Sequence, residues 1–166
     1  MKKKGWLKIP VVAIGTDYTC IPFWEETDCE YYVIPHEDLI EEFVKRGIPR
    51  EKLLPWGIPV RQSFMKQWNK KEARKICHIP QNNKSYLVMG GSMGFGKIQI
   101  FVLELARRME ADENMVVICG NNKKLEKLLK RELVHRKNVK VLGYTDQVAA
   151  YMAACDVIFT KPGGAE

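Results

Sequence analysis

The 166-residue sequence predicts an α/β fold with a parallel sheet, and three observations carry that prediction. Short apolar runs alternate with amphipathic stretches from Tyr86 to Phe159. A glycine-rich junction, Gly90-Gly91-Ser92-Met93-Gly94-Phe95-Gly96-Lys97, joins one such run to one such stretch. A breaker-rich segment, Pro55-Trp56-Gly57-Ile58-Pro59, separates this regular half from a shorter first one. Repeated strand-helix units of this length call for parallel strands joined by right-handed crossovers.

In chain order, Val11-Val12-Ala13-Ile14 and Tyr31-Tyr32-Val33-Ile34 read as strands. A helix over residues 38–46 closes at Gly47, with Pro49 beyond. Leu53-Leu54 runs into the breakers, read as a hinge. Asn69 followed three residues later by Glu72 is a capping-box signature for a short helix ending near Cys77. After the loop Pro80-Gln81-Asn82-Asn83-Lys84 comes a strand ending at Met89, then the glycine junction, then a helix with Ile98, Phe101, Val102, Leu105 and Met109 on one face. A strand at residues 115–119, a basic helix, a strand at residues 139–142, a helix capped by Thr145 or Asp146 and a strand at residues 157–159 complete the pattern.

The glycine junction is suited to an anion. Residues without side chains let the backbone approach a phosphate, and the unpaired N–H groups of the following helix point at it. Three templates compete. The dinucleotide fingerprint needs a different glycine spacing and an acid about 20 residues on; here the next strand ends at Cys119-Gly120-Asn121-Asn122, without a carboxylate. The P-loop pattern fits from Gly91 to Lys97 and then fails, because Ile98 stands where a magnesium-binding hydroxyl belongs. The third template holds the diphosphate of a sugar nucleotide without a metal, with N–H groups and the Ser92 hydroxyl as donors. A plain strand-to-helix turn is the bland reading.

Composition bounds the partners. No apolar run approaches the ~18 residues of a membrane span, and no signal peptide follows Met1-Lys2-Lys3-Lys4, so the chain reads as cytosolic. Cys20, Cys29, Cys77, Cys119 and Cys155 are odd in number and form no C-x-x-C pair, which predicts reduced core thiols. A net charge of +7 and a pI near 9.1 call for an anionic partner or surface. The cations are densest over residues 123–140, where Lys123, Lys124, Lys127, Lys130 and Arg131 surround a stripe of Leu125, Leu128, Leu129 and Leu133. That helix is either a solvated face or attracted to anionic lipid headgroups. No aromatics interleave with the basic run, so nucleic acid is not expected.

The segments Thr16-Asp17-Tyr18, Gly57-Ile58-Pro59-Val60-Arg61, Met89 to Gly94, Cys119-Gly120-Asn121, Gly143-Tyr144-Thr145-Asp146 and Thr160-Lys161-Pro162-Gly163-Gly164 follow one another in order. Together they resemble the middle of a GT-B glycosyltransferase of family 28, in the branch of monogalactosyldiacylglycerol synthases and processive diacylglycerol glucosyltransferases. The resemblance implies two Rossmann-like domains: residues 1–59 as the tail of an N-terminal acceptor domain with its hinge, and residues 60–166 as a UDP-sugar-binding domain cut at its C-terminus.

It further implies that Gly91, Ser92, Met93 and Gly94 hold the donor diphosphate, with Arg61, Lys161, Gly163 and Gly164 nearby, and that the Gly143-Tyr144-Thr145 backbone contacts the uracil. The implied co-substrate is UDP-glucose or UDP-galactose, with no separate cofactor and no metal. The implied acceptor is a membrane lipid such as diacylglycerol, reached from the inner face of the membrane. The expected reaction is an inverting, metal-independent hexosyl transfer. The family's Glu for the ribose hydroxyls and its His-containing loop have no counterpart here, so the chain by itself is expected to be inactive, and its last strand to leave apolar surface open to self-association. A P-loop phosphohydrolase and a non-catalytic nucleotide-binding module stand as alternatives. Among single residues, His36 reads as a turn or cap residue and Asp17 as a turn-former at a strand end. Phe23 and Trp24 are either acyl-chain contacts or core.

Overall fold

The computed structural model describes residues 9–90 and 97–160, and its contacts divide them into two compact units, the chain passing from one to the other between Arg61 and Gln62. In the first unit, β1 (Val12–Ile14), β2 (Tyr31–Val33) and β3 (Leu53–Leu54) form a parallel sheet in the order β1-β2-β3. Tyr32, Ile34 and Leu53 turn inward and meet Phe43 of α1 (Ile40–Lys45), together with Cys20, Cys29 and Ile48. The opposite side chains of β1, Val12 and Ile14, are exposed. Glu42 of α1 fastens the segment after β1, its Oε1 accepting from the Thr19 hydroxyl and the Cys20 N–H at 2.8 Å each.

α1 ends as the glycine signal predicts. Gly47 takes φ +91, its N–H reaches the Val44 carbonyl at 2.9 Å, and the Ile48 N–H reaches Phe43 at 3.2 Å. These two bonds are the Schellman pair, which needs a left-handed residue between them. The helix expected over residues 38–46 begins as a 3₁₀ turn, Glu37–Leu39, before α1 proper.

The second unit has β4 (Ser85–Met89), β5 (Asn114–Ile118), β6 (Val139–Leu142) and β7 (Val157–Thr160), all parallel, in the order β6-β5-β4-β7. Strand residues alternate between two faces, as the two-residue period of a strand requires. Leu87, Val116 and Ile118 pack on α3 (Lys70–Cys77) and α6 (Val148–Ala154) through Ala73, Cys77, Ala150 and Ala154. Tyr86, Val88, Met115 and Val117 pack on α4 (Lys97–Arg108) and α5 (Lys123–Glu132) through Val102, Ala106 and Leu129. With helices on both faces, β4 and β5 can be apolar throughout, and that is why they read so clearly in the sequence.

Arg74 of α3 is only 4% exposed and ties this unit together. Its Nε donates to the Ala154 carbonyl at 2.9 Å, its Nη1 to Pro80 and Gln81, and its Nη2 to Asp156 Oδ2 at 2.8 Å. The same Asp156 oxygen accepts from the Ser85 N–H at 2.7 Å, linking the starts of β4 and β7.

Asn69 caps α3 as expected, its side chain accepting from the N–H groups of Lys71 at 2.9 Å and Glu72 at 3.4 Å. At the other end His78 takes φ +53, with its N–H on Lys75 and the Ile79 N–H on Arg74. An L-residue with a Cβ in that conformation costs about 1 kcal/mol that glycine avoids. His78→Gly should therefore stabilise the second unit by roughly 0.5–1 kcal/mol, seen as a higher urea midpoint at unchanged slope.

One expectation needs correction, and two elements have no counterpart in the sequence reading. The helix placed at Thr145 or Asp146 begins at Val148; the Thr145 hydroxyl accepts the Gln147 N–H at 3.1 Å and closes a turn before the helix instead. Leu53-Leu54 is a strand, defined by its pairing with Tyr32 and Val33. A one-turn helix, α2 (Gln62–Met65), occupies residues given no element from the sequence. All five cysteines are free and buried, in keeping with core thiols. Among the described residues, no helix is long and apolar enough to cross a membrane.

Candidate functional site

Leu142, Ile118, Met89 and Thr160 are Cα partners across the second unit's sheet, so its four strands end in one row. The loops that follow them therefore start side by side along the carboxyl edge. In strand order, the first and last strands of this unit, β4 and β7, are neighbours, and the chain winds outward from them in opposite directions. That is the topological switch point, where open α/β sheets bind their ligands. The glycine junction leaves from β4 at this point, and the Lys161-Pro162-Gly163-Gly164 segment leaves from β7 beside it.

Gly91, Ser92, Met93 and Gly94, and likewise Lys161, Gly163 and Gly164, lie outside the described residues. Their flanks lie within them. Met89, Ile98, Phe101, Phe159 and Thr160 line an apolar recess of about 410 Å³ between β4, β7 and α4. Ile98 thus belongs to an apolar wall in the place where a P-loop would need a hydroxyl. Phe101 stacks edge-on against Phe159, centroids 5.0 Å apart.

Two strands along, Gly143, Tyr144 and Thr145 follow β6. Tyr144 is 63% exposed, while Thr145 is held by the bond to the Gln147 N–H. Gly143 has a reason for lacking a side chain: a Cβ there would lie 2.6 Å from Glu126 Oε2 and 3.2 Å from Lys123 Nζ. Glu126 is 14% exposed and lies between two ammonium groups, Lys123 at 3.2 Å and Lys130 at 2.8 Å. Hydrogen bonds from Lys130 and Lys123 hold its carboxyl below the usual range. This pairing lies against Gly143, a neighbourhood that the sequence reading missed because Glu126 stands among lysines as an ordinary helix charge.

The loop after β5 has Gly120 at φ +55, and Asn122 Oδ1 accepts the Leu125 N–H at 3.0 Å to cap α5. Cys119 beneath it is no nucleophile, since burial, aided by the Glu126 charge, pushes its thiol up to about 11. Of the basic residues around the α5 leucine stripe, Lys123 and Lys130 are spent on Glu126, and Arg131 on Glu132. Among the described residues, no three His, Cys, Asp or Glu side chains gather as a metal site would require.

Arg61 closes the first unit and is exposed. In that unit His36 is a capping residue, its Nδ1 accepting the Asp38 N–H at 3.3 Å. Asp17 lies in a bend three residues beyond β1. The two aromatics divide: Trp24 packs against Tyr32 and Phe43 at 6.0 and 6.3 Å, whereas Phe23 is 69% exposed with φ +79.

Residues 1–60 match the monogalactosyldiacylglycerol (MGDG) synthase family, and residues 85–165 match the glycosyltransferase family 28 C-terminal domain. A processive diacylglycerol beta-glucosyltransferase of Staphylococcus carnosus is 30% identical over 159 residues, which are 95% of this chain and 40% of that protein. Monogalactosyldiacylglycerol synthase 1 of Arabidopsis thaliana is 33% identical over 172 residues, 98% of this chain and 32% of the relative. The chain thus spans well under half the length of these relatives. In fold it is similar to a UDP-GlcNAc 2-epimerase from Neisseria meningitidis, crystallised with UDP-GlcNAc, at a TM-score of 0.68, 20% identity, and coverage of 95% of this chain and 49% of that one. A glycosyltransferase involved in lipopolysaccharide biosynthesis follows at 0.50, 19% identity, and 91% and 50% coverage. These likenesses place the α/β architecture among GT-B glycosyltransferases and epimerases. Residues 1–60 thus belong with the monogalactosyldiacylglycerol synthase family and residues 85–165 with the glycosyltransferase family 28 C-terminal domains, and the relatives are diacylglycerol glucosyltransferases and monogalactosyldiacylglycerol synthases.

Proposed function

We propose that this chain carries the donor half of an enzyme that moves a hexose from UDP-glucose or UDP-galactose to a membrane lipid such as diacylglycerol. The observation that carries the reading is the row of strand ends at Leu142, Ile118, Met89 and Thr160. It starts the glycine junction, the Lys161 segment and the Gly143 loop from one edge. On this reading Gly91, Ser92, Met93 and Gly94 take the diphosphate, with Lys161, Gly163, Gly164 and Arg61 around it. The backbone of Gly143, Tyr144 and Thr145 takes the uracil. The relatives' names, which pair diacylglycerol with a glucosyl- or galactosyltransferase, support the lipid acceptor. Exposed Phe23 is then the better candidate for an acyl chain, because Trp24 is committed to the core.

Transfer from UDP builds positive charge at the anomeric carbon and negative charge on the departing diphosphate. Donors fixed at the diphosphate therefore favour the transition state over the ground state, and losing one costs about 3 kcal/mol. In this mechanism the amides and hydroxyl of the glycine junction bind the leaving group, the reaction inverts the anomeric centre, and no cation is needed. The full-length enzyme should keep its activity in excess chelator, and strict dependence on magnesium or manganese would end the metal-free proposal.

Amide spectra of the labelled chain test the donor site directly. UDP should shift the signals of Gly90, Asn121 and residues 143–146 at millimolar concentration, with or without chelator. Magnesium-dependent shifts near Lys97 on adding ATP, with none from UDP, would replace this reading by a P-loop one.

A further inference from the structure

We propose that the amino edge of the second unit's sheet holds a small phosphate-bearing molecule, in a pocket of its own at the opposite end of the strands from the donor loops. Five-residue strands such as β5 put the two edges about 15 Å apart. The pocket, of about 340 Å³, lies between the starts of β5 and β6 and the residues that follow α3. Its polar lining is His78, Asn114, Lys137, Asn138 and Lys140, and no carboxylate is among the lining residues.

Lys140 is the residue that lacks a counter-charge. It is the register partner of Val116, and so shares the sheet face that packs on α3 and α6. There it is partly buried, its Nζ donating to the Cys77 carbonyl at 3.0 Å and lying 5.5 Å from the Tyr151 ring. A carbonyl and a ring offset only part of the cost of drawing a charge out of water. Among the described residues neither Lys140 nor the exposed Lys137 has a carboxylate partner. Asn114, two residues before Val116 on the same strand, adds a second unmet demand: its Nδ2 is buried with no hydrogen-bond partner among the described residues.

His78 completes the lining at φ +53, a conformation whose strain tends to persist where the side chain has a use. The carbonyls of the last turn of α3, which would repel an anion, are occupied: Lys75 accepts from the His78 N–H at 3.2 Å, Arg74 from the Ile79 N–H at 2.8 Å, and Cys77 from Lys140. Two ammonium groups and side-chain amides without an opposing carboxylate suit phosphate oxygens, which accept charge-assisted hydrogen bonds, and the volume suits a phosphomonoester of metabolite size. The neighbouring hollow of about 520 Å³ at Lys70, Lys71 and Arg74 differs in already containing its anion, the Asp156 carboxylate paired with Lys70 and Arg74. The amino-edge pocket makes no use of the nucleotide, so it stands or falls apart from the donor reading.

Amide spectra of the labelled 166-residue chain during titration with inorganic phosphate, and separately with glycerol 3-phosphate, test the pocket at constant ionic strength. The signals of Ile79, Met115 and residues 138–140 should shift and saturate at millimolar concentration, with or without UDP, and chloride should not reproduce the shifts. Lys140→Met should weaken binding about tenfold and Lys137→Gln about fivefold, whereas Lys124→Gln on α5 should leave it within about twofold. Lys137 is exposed, so its variant keeps the test decisive even where Lys140→Met fails to fold. His78→Gly separates binding from structure: it should raise the urea midpoint and yet weaken phosphate binding about threefold. Absence of a saturable shift, shifts confined to Gly90, Asn121 and residues 143–146, affinity unchanged by Lys137→Gln, or a response to phosphatidic acid vesicles with none to the two soluble phosphates would each overturn the proposal.

Discussion

Arg74→Ala should lower the unfolding free energy of the second unit by about 3–5 kcal/mol, the range for breaking a buried ion pair from one side. The guanidinium is almost fully buried and spends its donors on three carbonyls and one carboxylate. Truncation leaves all four acceptors short of a partner, and it leaves the Asp156 carboxylate with only Lys70 and the Ser85 N–H. Since a domain has only about 5–15 kcal/mol in total, the variant should melt far below the parent chain or fail to fold near room temperature. Chemical denaturation followed by far-UV circular dichroism measures this. A loss under about 1 kcal/mol would mean that the contact behaves as a surface pair. Arg74→Lys should recover little, because an ammonium cannot fork to Ala154, Pro80, Gln81 and Asp156 together.

The same cluster sets an acid limit. Burial works to raise the Asp156 carboxyl, but the Lys70 and Ser85 hydrogen bonds and the Arg74 charge outweigh it and hold the group below its usual value. A carboxyl depressed in the folded state contributes stability that is fully present above its unfolded pKa, about 3.9. That contribution is lost as pH falls through the depressed folded value. The stability of the parent chain should therefore drop below about pH 4, and Asp156→Asn should flatten that acid limb.

How visible these features are in the sequence depends on how far apart their parts lie. β4, β5 and the stripes of α4 and α5 are legible because each is a local run with its own period. β3 is two residues long and owes its existence to Tyr32 and Val33, some twenty positions earlier in the chain, so no local pattern announces it. α2 is one turn, held by an indole donating to Ser63. Arg74 reads as one more cation on a basic helix, and only partners at Ala154 and Asp156 make it a core residue. The candidate site divides in the same way. Its glycines are readable because a backbone that must approach an anion excludes side chains, whereas Glu126 becomes meaningful only once the sheet brings α5 beside Gly143. Charge density alone leaves α5 open as either a solvated face or a lipid-facing one, and only the fold shows that Lys123, Lys130 and Arg131 are in ion pairs.

Gly143→Val should disturb the donor edge more than its modest change in volume suggests. Its Cβ would lie 2.6 Å from Glu126 Oε2, so the carboxylate must shift against its pairs with Lys123 and Lys130. Either Glu126 gives up both pairs or the loop backbone moves away from α5. Giving up two partly exposed ion pairs costs about 1–2 kcal/mol at most. If the Gly143-Tyr144-Thr145 backbone reads uracil, a loop displaced by an ångström should also weaken UDP binding by about tenfold or more. Glu126→Ala separates the two effects, since it removes the obstructing carboxylate. In the double variant Gly143→Val, Glu126→Ala, stability and UDP affinity should both return toward the level of Glu126→Ala alone, a coupling of about 1 kcal/mol or more in a double-mutant cycle. Additive losses would show that Glu126 does not bear on the loop. Recovery of stability without recovery of UDP affinity would show instead that the side-chain-free position at Gly143 is itself what the nucleotide needs.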